Sequence, residues 1–243
     1  MASVFELANL SLMAYEWNKN SFYKWGRITA HGVPSGKGFY SELYYNPVKK
    51  EAVMAIRGTD GDKKDQKDFW SDLQIGIGQV PSQYKSAKIA YDEFKTILRG
   101  KKMQSSPFYL TGHSLGGGLA SLLMAKETFS KPAFVVTFNS PGMEGPYIDS
   151  YSQIPLLDET IGRYNYKCYF DKTPFLHLRA TGDPISLKGR HIGKVEDVYV
   201  NAWGDGKILG VSRHLAQHSI ENMVKTLKTM PWYNKDITIP TTA

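Results

Sequence analysis

The chain opens with Ser3-x-x-Glu6 ahead of an apolar stretch, the arrangement of a capping box, and residues 4–16 are expected to form the first helix. GFYSELYYN (38–46) and EAVMAIRG (51–58) are rich in aromatic and apolar residues and flank Pro47 to Lys50, so they read as two paired strands. After Pro81 the apolar positions Tyr84, Ala87, Tyr91, Phe94 and Leu98 step by three and four until Gly100, which predicts an amphipathic helix. A strand PFYLTGH follows, then a helix over 115–128, strands over 133–138 and 175–181, another near 195–203, a helix over 219–229, and a polar tail from Asp236. Strands interleaved with helices predict an α/β fold: a mostly parallel central sheet with helices on both faces.

No repeat, low-complexity tract or linker interrupts the 243 residues, so 1–243 is expected to be a single domain. A chain of this size buries roughly 70–75% of its unfolded surface, enough for a core without staples. Cys168 is the only cysteine, which rules out an internal disulfide, and the absence of C-x-x-C argues against a zinc finger. The first residues lack a basic start and carry Glu6 inside the apolar stretch, unlike a secretion leader. No run of about 18 apolar residues predicts a transmembrane segment. The net charge of +7 suits an anionic partner. Its lysines and arginines are scattered, however, with only short clusters at Lys63, Lys64, Lys67 and at Arg99, Lys101, Lys102, so nucleic acid is not expected.

Gly112-His113-Ser114-Leu115-Gly116 stands where strand PFYLTGH meets the next helix, a G-x-S-x-G pentapeptide in strand–turn–helix context. A serine on so sharp a bend needs neighbours without Cβ atoms, and the bend puts the Leu115 N–H at a helix start, aimed at an oxyanion over Ser114. A serine hydroxyl needs a base and a group that orients the base, following in the order Ser, Asp, His. Asp183 comes directly after strand FLHLRAT, at the carboxyl end where open α/β sheets hold their chemistry; Asp171 and Asp158 compete, and Gly182-Asp183-Pro184 also reads as a plain turn. His218 precedes the helical stripe Ile220, Met223, Val224, Leu227 and is the favoured base, with His214 in the same loop as its rival. His191 reads as a solvated loop residue, His177 as buried within a strand, His31 as part of a Gly/Pro loop, and His113 as flanking the nucleophile without serving as its base.

Arg57-Gly58-Thr59-Asp60 at the end of EAVMAI, together with GHSLGGG, DFWSDL, GDP and HSI in that order, resembles the class 3 lipase family, which includes triacylglycerol lipases and phospholipases A1. The resemblance runs from the first helix to the helix after His218 and implies an α/β-hydrolase fold with a short helical lid. It implies Ser114, Asp183 and His218 as the catalytic triad and Thr59 with Leu115 as the oxyanion hole. Asp68 to Leu73 looks like the lid, with Phe69, Trp70, Asp72 and Leu73 as lid or substrate-binding residues and Asp72 steadying the oxyanion residue. Read from composition alone, those apolar groups either pack permanently or cover an acyl groove and swing out at a lipid surface.

The expected activity is therefore hydrolysis of lipid carboxylic esters through an acyl-enzyme, as a phospholipase A1 or acylglycerol lipase. It requires no metal or organic cofactor, and no P-loop or dinucleotide fingerprint is present. The expected partner is a lipid surface, with Lys63, Lys64 and Lys67 favouring anionic phospholipid unless they form an ordinary solvated face. An inhibitor or immunity-type protein partner stays open. The alternatives are an esterase or acyltransferase acting on small soluble esters, and a non-catalytic lipid-binding module on the same scaffold. The location fits the cytoplasm, or export as a bacterial effector by a route that reads no cleavable leader.

Overall fold

EAVMAI and FYLTGH are buried at every position, the signature of strands covered on both faces, and they lie side by side at the middle of one sheet. The computed structural model describes residues 1–16, 18–32, 38–59, 83–103, 107–127, 133–142, 175–189, 191–200 and 216–235. Within them, strands β1 (Ser21–Phe22), β2 (Trp25–Gly32), β3 (Tyr40–Asn46), β4 (Glu51–Ile56), β5 (Phe108–His113), β6 (Ala133–Phe138), β7 (Phe175–Ala180) and β8 (Lys194–Val198) form one sheet in chain order. β1 to β4 pair antiparallel and β4 to β8 pair parallel. Helices α1 (Val4–Met13), α2 (Tyr84–Gly100), α3 (Leu115–Glu127) and α4 (Ile220–Lys228) cover it, and a 3-10 turn spans Pro231–Asn234.

The pleat divides the core. Val53 and Ala55 of β4, with Tyr109, Val136 and Phe138, face α1 and α4, whereas Ala52, Met54, Ile56 and Leu110 face α2 and α3. The capping box at α1 is complete: Glu6 N–H donates to Ser3 Oγ at 3.1 Å and Ser3 N–H to Glu6 Oε2 at 2.8 Å. Among the described residues no helix is long and apolar enough to cross a membrane.

Three expectations need correction. α1 stops at Met13 rather than residue 16, because Tyr15 and Glu16 close onto Leu12 and Met13 in tighter i→i−3 turns. β1 and β2 have no counterpart in the sequence reading. Gly26, Arg27 and Gly32 break the apolar alternation of β2, whose pairing is set instead by a polar contact, Arg27 to the fully buried Glu42 of β3 at 2.7 Å. His31 accordingly lies in β2, not a loop, paired with Glu93 of α2 at 2.6 Å. The tail from Asp236 lies outside the described residues.

Candidate active site

The last residue of β5 and the first of α3 are separated by a single residue, Ser114, so the chain must reverse its direction on that residue alone. It does so at φ +57°, a left-handed conformation that L residues rarely adopt, held by the Ser114 N–H donating to the Phe138 carbonyl at 3.0 Å. The glycines around it are steric necessities. A Cβ on Gly112 would lie 2.5 Å from the Gly116 carbonyl carbon, and one on Gly116 would lie 2.2 Å from the Ile56 carbonyl oxygen. Gly58 closes the arrangement from β4: its Cβ would fall 2.6 Å from the His113 carbonyl oxygen and 3.1 Å from Ser114 Cβ. Thr59 thus follows a residue packed directly against the serine, and Leu115 begins the helix beside it.

His218 is delivered by the turn before α4, whose N-cap Ser219 accepts the Asn222 N–H at 3.3 Å. Its Nε2 lies 2.8 Å from Ser114 Oγ, and its Nδ1 lies 3.0 Å from Asp183 Oδ1. A carboxylate only accepts, so Nδ1 carries the proton and Nε2 presents a lone pair to the serine hydroxyl. Asp183 follows β7 in a turn made possible by Gly182 at φ +86°, and its carboxyl also accepts the N–H groups of Ile185 and Ser186 at 3.1 and 3.2 Å. Gly182-Asp183 is thus a turn, and the same turn sets its carboxyl beside the His218 ring. Burial alone would push this carboxyl up; donors from His218, Ser186 and Ile185 outweigh it and hold the group below the usual carboxylate range. All three side chains are buried, Ser114 to 1% exposure, Asp183 to 0% and His218 to 4%.

The remaining histidines are placed as follows. His113 is buried with its ring against that of His218, centroids 4.7 Å apart, its Nε2 2.5 Å from the His218 carbonyl and its Nδ1 3.0 Å from Tyr15 Oη. Burial, with the neighbouring His218, pushes it down to about 3. His177 is buried as expected, between Thr137 Oγ1 and the Ile192 carbonyl, each at 2.7 Å. His191 lies in a loop as expected but is half-buried rather than freely solvated. It packs its ring 4.8 Å from His177 and donates through Nε2 to the Ser186 carbonyl at 2.9 Å, bracing the loop that carries Asp183. Tyr15 and Asn139 escaped the sequence reading, and Gly58 entered it only as part of the motif around Thr59. His214, Asp158, Asp171, Cys168, Lys63, Lys64, Lys67 and the lid residues Phe69, Trp70, Asp72 and Leu73 lie outside the described residues. Among the described residues no three His, Cys, Asp or Glu side chains gather as a metal ion would require.

Comparison with known proteins places the chain in a family. A family model described as a phospholipase-like, Tle-like phospholipase domain matches residues 6–160, well over half of the chain and including the Ser114 turn. The chain belongs to the Tle-like phospholipase domain family. The matched span of that domain ends before Asp183 and His218. An extracellular phospholipase A1 of Serratia liquefaciens is 26% identical over 213 residues, covering 83% of this chain and 60% of that protein. A shorter stretch of 95 residues, 39% of this chain, is 32% identical to 28% of a Cupriavidus pinatubonensis protein named NAD kinase. The chain therefore spans less than two thirds of the length of either of these curated relatives.

Among solved structures, Lip2 lipase of Yarrowia lipolytica aligns with TM-score 0.58 and 18% identity over 81% of this chain and 77% of its own. A triacylglycerol lipase of Penicillium expansum aligns at 0.54 and 16% over 80% and 77%. The Rhizomucor miehei lipase aligns at 0.52 and 15% over 90% and 77%. At such identities the likeness concerns the fold, and the phospholipase domain has the α/β-hydrolase architecture that the motifs imply.

Proposed function

We propose that this protein hydrolyses carboxylic esters of phospholipids, with Ser114 as nucleophile, His218 as general base and acid, and Asp183 orienting the imidazole. One observation carries the reading: Ser114 Oγ, on a left-handed turn, stands 2.8 Å from His218 Nε2 while Asp183 receives the opposite ring nitrogen at 3.0 Å. As the hydroxyl oxygen bonds to the ester carbonyl carbon, its proton passes to Nε2, and the charge arising on the ring is stabilised by the ionised Asp183. The carbonyl oxygen becomes an oxyanion received by the N–H groups of Thr59 and Leu115. Collapse of this intermediate returns the proton from Nε2 to the departing alcohol and leaves an acyl-Ser114. Water, deprotonated by the same nitrogen, repeats the sequence and releases the fatty acid.

The phospholipase domain and the relative named phospholipase A1 support a phospholipid over a triacylglycerol. The lysines at 63, 64 and 67 support an anionic headgroup, each contributing about 1 kcal/mol near a charged surface. A nucleophile that is 1% exposed supports a requirement for the covering surface to move before an acyl chain enters, as an enzyme acting at a lipid interface needs.

The test is product analysis on mixed vesicles of anionic and zwitterionic phospholipid and on triacylglycerol emulsion. Release of fatty acid and lysophospholipid, fastest from the anionic lipid and absent in Ser114→Ala, is expected. Retention of most activity in that variant removes the mechanism, and a clear triacylglycerol preference removes the substrate. A rate that saturates smoothly through the concentration at which a short-chain substrate aggregates would favour a soluble-ester hydrolase instead.

A further inference from the structure

Two consecutive carbonyls, those of Gln217 and His218, leave the backbone just ahead of α4, and each is held by a buried side chain from a different strand end. Asn139, immediately after β6, donates from Nδ2 to the Gln217 carbonyl at 2.9 Å. His113, the last residue of β5, lies with Nε2 2.5 Å from the His218 carbonyl. A carbonyl can only accept, so Nε2 bears the proton of this neutral ring and Nδ1 is left as an acceptor.

Both donors are themselves fixed from behind. The Tyr15 hydroxyl donates to His113 Nδ1 at 3.0 Å and its oxygen accepts the Gly58 N–H at 2.9 Å. Asn139 Oδ1 accepts the Ala180 N–H at 2.7 Å, at the end of β7 and three residues before Asp183. Asn139 adopts φ +49°, a conformation asparagine tolerates better than most residues, and that backbone turns its amide toward both loops. The His218 turn is thus joined on one side to the Asp183 loop through Asn139, and on the other to the backbone at Gly58, next to Thr59, through His113 and Tyr15.

We propose that Asn139, His113 and Tyr15 are positioning residues that hold the base, its acid and the oxyanion loop in register, so that the imidazole meets the serine without search. This rests on the function proposed above. Errors of about 1 Å in such a constellation cost up to about a hundredfold in rate, whereas substrate binding at a lipid surface is set elsewhere. Asn139 and His113 bond the carbonyls of Gln217 and His218 rather than the reacting ring nitrogen, and the His113 ring also packs against the His218 imidazole, centroids 4.7 Å apart.

The test compares His113→Leu with His113→Gln, whose amide nitrogen can reoccupy the donor position, together with Tyr15→Phe and Asn139→Gly, which keeps the left-handed backbone while deleting both bonds. Each rate is divided by the concentration of sites titrated with a fluorophosphonate, so that partial unfolding does not count as lost catalysis. His113→Leu and Asn139→Gly are expected to lower kcat per titrated site by tenfold or more, with KM within twofold, and to weaken a trifluoromethyl ketone, which needs base and oxyanion loop together, by the same factor. Tyr15→Phe should lose less, and His113→Gln should recover most of what leucine loses. Values of kcat per site within twofold of wild type in both severe variants, or glutamine no better than leucine, would overturn the proposal. Wild-type protein that hydrolyses no ester and leaves Ser114 unlabelled would instead defeat the functional reading beneath it.

Discussion

At Ser114 the proposed chemistry asks the fold to give up stability for reactivity. A residue with a Cβ at φ +57° carries a conformational cost of about 1–2 kcal/mol, and the cost is tolerated because this backbone lifts Oγ to within 2.8 Å of His218. Ser114→Ala and Ser114→Gly both delete the hydroxyl, but only glycine relieves the left-handed strain. Glycine's greater entropy in the unfolded chain takes back about 0.5–1 kcal/mol of that relief. Ser114→Gly should therefore be the more stable of two inactive proteins by about 0.5–1 kcal/mol, read from urea midpoints. Equal midpoints would mean that the strain does not exceed glycine's entropic cost.

Among the elements, β4, β5 and α3 meet so closely at the site that single glycines decide whether they can. Gly116 sits in the first turn of α3 against the Ile56 and Arg57 backbone, and the atom a methyl would meet at 2.2 Å is a main-chain oxygen that cannot rotate away. Gly116→Ala should push the helix start from the strand end, destabilise by about 1–3 kcal/mol as overpacked cores do, and separate Leu115 from the loop before Thr59. The expected result is a lower unfolding midpoint and slower fluorophosphonate labelling of Ser114; unchanged labelling would show that the two N–H groups need not converge. Such close approach is what made this part of the molecule legible in sequence, since glycine spacing, strand composition and the helical stripe after His218 all follow from local sterics and periodicity. β2 was not legible, because Trp25 and Ile28 enter the core without an alternating apolar pattern and Arg27 instead joins Glu42 in a partly buried ion pair. Tyr15 and Asn139 were equally hidden: their bonds to His113, Gly58, Gln217 and Ala180 span 41 to 98 positions, and no local pattern announces such bonds.

Across the whole molecule, neutral imidazoles are built into the sheet on either side of the site. His113 and His177 are fully enclosed, and burial first of all pushes each down to about 3, against about 6.5 for a free histidine. His191 is shifted the same way by its burial, and Asp183 is held below its usual range against its own burial by its donors. For each of these groups the unfolded chain binds protons that the native protein refuses, so stability must fall as pH falls. The histidine contribution is fully present above about pH 6.5 and drains away toward about pH 3, at about 1.4 kcal/mol per pH unit for each ring once the unfolded imidazole is charged. Asp183 adds to the loss at the acid end, below about pH 4 where its unfolded counterpart protonates, while Glu51, raised by burial, opposes it. Two enclosed rings outweigh one such carboxyl, and native stabilities are only about 5–15 kcal/mol. Urea midpoints measured from pH 7.5 to 4.5 should therefore decline steadily below pH 6.5. His177→Gln, less stable at pH 7.5 for want of its bonds to Thr137 and Ile192, should show a shallower decline over the same range. A flat wild-type profile between pH 7 and 5, or an unchanged slope in the variant, would mean that the buried rings take up protons as readily as they do in water.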